Sequence, residues 1–80
     1  MVSANELTKA LDAALVMARA EYRKAVVELA TREAARGASP DRAPADVDGI
    51  HHARTRVIAL DAAREELSRM IQEGAPLDRG

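Results

Sequence analysis

From Leu7 onward the chain repeats apolar residues at steps of three and four. Leu7, Leu11, Leu15, Ala18, Tyr22, Ala25, Val26 and Leu29 draw one continuous stripe along a helix of about six turns. No Gly or Pro interrupts the stripe. Ser3 followed by Glu6 has the Ser-x-x-Glu spacing of a capping box, in which each side chain satisfies the other residue's free backbone N–H. Gly37 is suited to the left-handed conformation that closes a helix, and Arg32 and Arg36 complement the dipole in the last turns. A first helix is therefore expected over about residues 4–36.

The next segment, Gly37 to Asp46, reads GASPDRAPAD and holds Pro40 and Pro44, each of which biases its predecessor away from helix. It reads as a turn. Asp46 is a natural N-cap for a second helix, Asp48 adds favourable charge to its first turn, and Gly49 weakens that turn. Ile50, Ala53, Val57, Leu60, Ala63, Leu67 and Ile71 again step by three and four, until Gly74 and Pro76 end the pattern. The second helix is expected at about 47–73, with a flexible tail over 74–80.

Strand formers are scarce: Phe and Trp are absent, Val and Ile together number nine, and alanine alone contributes eighteen residues. The fold class is all-α, an antiparallel two-helix hairpin in a single domain. Folding back at the turn sets Leu29 near Ala53, Val26 near Val57, Tyr22 near Leu60, Leu15 near Leu67 and Leu11 near Ile71. Arg64 then falls opposite Ala18, as a stem lying in a small-residue notch or as a cation awaiting a carboxylate from another chain. Leu7 overhangs the second helix unless the tail or a second subunit covers it. So few large apolar side chains cannot offset the ordering entropy of two long helices, and no cysteine exists to supply a disulfide. The hairpin is thus expected to dimerise into a four-helix bundle. A dedicated hetero-partner, or an extended coiled coil using the same heptads, would satisfy the same stripes. An exact match between Ala10–Ala14 and Ala59–Ala63, both reading ALDAA, is weak evidence for a duplicated helix in so alanine-rich a chain.

Twelve basic and thirteen acidic residues are well mixed, so neither a polyanion nor an acidic membrane surface is an obvious partner. The longest apolar run, Ala13 to Ala18, is too short for a membrane span or a signal-peptide core, and a cytoplasmic location is the default expectation. Catalysis has little to stand on. There is no Cys nucleophile, Ser3, Ser39 and Ser68 sit at a cap, a turn and a charged face, and no glycine-rich phosphate loop appears. No cofactor is expected. Asp48 with His51 or His52 has the spacing of half a metal site, but adjacent histidines point about 100° apart on a helix and a solvated Asp–His pair is the simpler reading. The inward Glu residues and Glu-x-x-His motifs of ferritin-like di-iron bundles are missing.

Three function classes remain. Apolar residues off the main stripe, Val16, Ala20 and Val27 on the first helix and Ile58 on the second, suit a second seam against another subunit or a target helix. A small non-catalytic protein–protein interaction module, an adaptor, inhibitor or regulator, is the favoured expectation, with Val16, Tyr22, Val27, Ile58 and Arg64 as its contact residues. The alternative is a dimeric nucleic-acid-binding protein using outer-face arginines such as Arg19 with Arg23 or Arg32 with Arg36, and a metal-binding bundle comes third. Both arginine groups are small, and acidic residues surround them.

Overall fold

The computed structural model describes residues 2–37 and 46–77 and consists of two α-helices, α1 (Ala4–Gly37) and α2 (Asp48–Glu73), packed against each other. There are no strands among the described residues. The proline turn, with Pro40, Pro44 and Ser39, lies outside them. The direction of packing follows from two ion pairs: Asp12 meets Arg64 while Arg19, further along α1, meets Asp61, earlier in α2. Rising numbers on one helix thus meet falling numbers on the other, and the hairpin is antiparallel.

Local chemistry sets the helix ends. The N–H of Glu6 donates to the Ser3 hydroxyl at 3.1 Å, satisfying one of the donors that the first turn leaves open, and the N–H of Leu7 makes the first helical bond to the Ser3 carbonyl at 3.0 Å. At α2 the cap position is Val47, whose side chain makes no capping bond, and Asp46 acts one residue earlier than a true N-cap by accepting the Asp48 N–H at 2.9 Å. The C-terminus of α2 ends on Gly74 at φ 70°, with Gly74 N–H donating to the Ile71 carbonyl and Ala75 N–H to that of Met70, the paired bonds of a Schellman ending. Gly74 alone among the described residues takes a left-handed conformation; Gly37 is the last residue of α1 and does not supply the left-handed stop that its position suggested.

The stripes meet as expected along most of their length. Leu7, Leu11, Tyr22, Ala25 and Leu29 of α1 are half-buried, as are Ile50, Ala53, Val57, Leu60 and Leu67 of α2. Three positions differ. Val26 and Ile71 are exposed, because each sits at an edge of its stripe with one helix alone to lean on, and Ala63 is exposed on one side of the hairpin. Ala75 and Leu77, beyond the Schellman ending, are half-buried.

Only Leu15 and Ala18, at 4% and 2% exposure, are buried among the described residues. The chain exposes 6323 Å², where a compact monomer of its 8.6 kDa exposes about 4,700 Å². Its radius of gyration of 18.2 Å likewise exceeds the roughly 12 Å of a compact domain of this length. Two helices side by side form one layer, and a layer has no interior.

Gly49 is the second residue of α2, and a Cβ added there would meet nothing within 4 Å. Gly49→Ala is expected to stabilise the fold by about 0.5–1 kcal/mol, because it removes backbone freedom from the unfolded chain and clashes with nothing. A thermal melt followed by circular dichroism checks this, with a rise of roughly 4 °C expected.

Candidate interaction surfaces

The two sides of the hairpin are chemically different. On one edge Arg64 Nε donates to Asp12 Oδ1 at 2.7 Å and Arg19 donates to Asp61 Oδ1 at 3.4 Å, so charge ties α1 to α2. Both aspartates are the central residues of the ALDAA segments, although the arginines they meet are not at matching positions. The carboxylate for Arg64 is thus supplied by its own chain. The other edge is an open groove of about 870 Å³. Ala25, Ala53, Leu60 and Ala63 form its apolar lining, and Glu21, Lys24, Glu28, His52 and Arg56 border it. No ion pair joins these border charges to one another or to other residues among those described.

A second apolar surface lies on the back of α1. Val16 and Val27 are 67% and 64% exposed, and Ala13, Val16, Ala20, Val27, Ala30 and Ala34 follow one heptad line broken only by Arg23. Thr31, beside this line, donates its hydroxyl to the Val27 carbonyl at 2.8 Å.

The candidate contact residues do not form one patch. Val16 and Val27 lie on the outer side of α1; Ile58, 55% exposed, lies about 130° around α2 from the stripe that meets α1. Tyr22 and Arg64 are half-buried. Asp48, His51 and His52 are all exposed, and no group of three or more metal-ligating side chains occurs among the described residues. Arginines are dispersed: Arg36 pairs with Glu33 and Arg69 with Glu65 and Glu66, besides the two that bridge the helices.

Sequence reasoning missed the groove. Glu21, Lys24 and Glu28, which line it, lie on a further heptad line with Ala10, Ala14 and Met17 that reads as an ordinary mixed surface because half of it is charged. Met17, 67% exposed, is the large apolar side chain on it.

Fold and surfaces together define a class: an all-α helical hairpin, with no helix among the described residues long and apolar enough to cross a membrane. No protein-family model, curated protein or solved structure matches the chain.

Proposed function

We propose that this chain is a small non-catalytic protein–protein interaction module, an adaptor, inhibitor or regulator that works through its helical surfaces after dimerising into a four-helix bundle. The observation that carries the reading is the imbalance of burial: two of the described residues are buried, while Val16, Met17, Val27 and Ile58 are more than half exposed. Val16 and Val27 lie on one apolar line along the back of α1, the kind of exposed apolar surface that marks a site of protein contact. The scatter of arginines into local ion pairs favours a protein partner over a nucleic acid, which needs cations gathered on one face.

Light scattering across a dilution series, with helicity followed in parallel, tests the reading. A dimer is expected, with mass and helicity falling together as the chain is diluted, because association completes the core. A monomer that keeps its full helicity at the lowest concentration would overturn it, since its surfaces would then need no partner.

A further inference from the structure

We infer that the back of α1 is where a different protein docks, and that this partner presents a helix of about three heptads, apolar along one stripe, with a carboxylate at the level of Arg23. The inference rests on the interaction-module reading above and names the class of partner.

The face is picked out by where α1 exposes its large apolar side chains. Val16, Met17, Val26 and Val27 are the four exposed ones on this helix, and all lie on the heptad line from Ala13 to Ala34 or immediately beside it. The line runs for about 30 Å at 1.5 Å per residue, on the side of α1 opposite Leu15 and Ala18. α1 is therefore apolar on two opposite faces, one against α2 and one unpartnered, whereas α2 is the more one-sided helix.

Charge selects the occupant. The charged residues on the line or at its flanks are Asp12, Arg19, Arg23, Lys24 and Glu33. Asp12 and Arg19 are committed to Arg64 and Asp61 of α2, and Glu33 to Arg36. Arg23 and Lys24 have no ion pair among the described residues. The positions three and four residues from Arg23 hold Arg19, Ala20, Val26 and Val27, none of them an acid. Glu21 and Glu28 flank Lys24 in sequence but stand about 130° round from the middle of the line, where they border the groove. The uncommitted charge of this face is thus cationic and sits midway along it.

A second copy is the wrong occupant. Two such lines overlapping along their full length set Arg23 level with the other chain's Lys24 when antiparallel and with its Arg23 when parallel, cation against cation. The self-association proposed above then uses another face. A helix carrying Asp or Glu at that level turns the same two cations into an ion pair, and one charged position in an apolar seam fixes the register. The alanines on either side leave notches for larger apolar side chains of the partner.

Two synthetic peptides of about three heptads test this. Each carries leucine at the a and d positions except one central position, glutamate in one peptide and lysine in the other, with a fluorophore for anisotropy titration against the full chain. Both are used at concentrations where the peptide alone is monomeric. The glutamate peptide is expected to bind at least about tenfold more tightly than the lysine peptide. Arg23→Glu should reverse that order and Val27→Glu should weaken both, with helicity retained because both positions are exposed. Lys24→Glu gives the same reversal should Arg23→Glu fail to fold. Equal affinity for the two peptides, an order that the charge reversals leave unchanged, or binding of neither peptide would overturn the inference. Light scattering separates it from the reading beneath it. A dimer that Val27→Glu turns into monomers would assign the face to a second copy and overturn this inference alone, whereas a parent chain that is a fully helical monomer would overturn the interaction-module reading.

Discussion

Leu15→Ala is expected to cost about 3 kcal/mol of stability, enough to unfold most of the protein at micromolar concentration. Leu15 is the one large side chain of the described residues that is buried, at 4% exposure. Truncation removes its transfer free energy and leaves a void that two long helices, tied by ion pairs at Asp12–Arg64 and Arg19–Asp61, close only in part. Val16→Ala is the control, because its side chain is 67% exposed in the single chain. A urea titration at fixed protein concentration measures both. Equal losses for the two variants would show that Leu15 is no more a core residue than its neighbour.

Ala18→Leu is expected to destabilise by about 1–3 kcal/mol even though it adds apolar surface. Ala18 is 2% exposed, the most buried residue described, so a larger side chain has nowhere to go except between the helix axes. Helicity should fall together with the helix contact, and the ion pair of Arg19 with Asp61, one residue along, should be lost with it. Hydrogen exchange checks this: amides in the middle of α1 and α2 are expected to lose most of the protection they have in the parent chain, whereas those at the fraying ends near Ser3 and Gly74 change least. A gain in stability would mean that the contact is slack at its centre.

The helices themselves were legible because their signals are local. Ser3 and Glu6 announce a start, Gly74 and Pro76 a stop, and the apolar stripes fix which faces meet. The ion pairs between the helices were less legible. Apolar spacing brings the stripes together and leaves open which carboxylates on the other helix Arg19 and Arg64 find. Gly37 misled for a related reason: a glycine permits a left-handed ending and does not require one, so Gly37 could remain helical while Gly74 turned. The groove was hidden by its chemistry. Glu21, Lys24, Glu28 and Arg56 read as solvated charges until packing places them around one apolar trough with Ala25, Ala53 and Ala63. Conversely, Val16, Val27 and Ile58 were each recognisable as exposed apolar residues, but only the three-dimensional arrangement separates Ile58 from the other two.

A chain with two buried residues among those described has an unusual evolutionary position. In a larger domain, drift in the core and drift at a binding surface are separate histories, filtered by different pressures. Here nearly every side chain that could stabilise the fold is also one that a partner would touch, so selection for folding and for recognition acts on the same codons. Related chains are therefore expected to vary in compensating sets of positions rather than one site at a time.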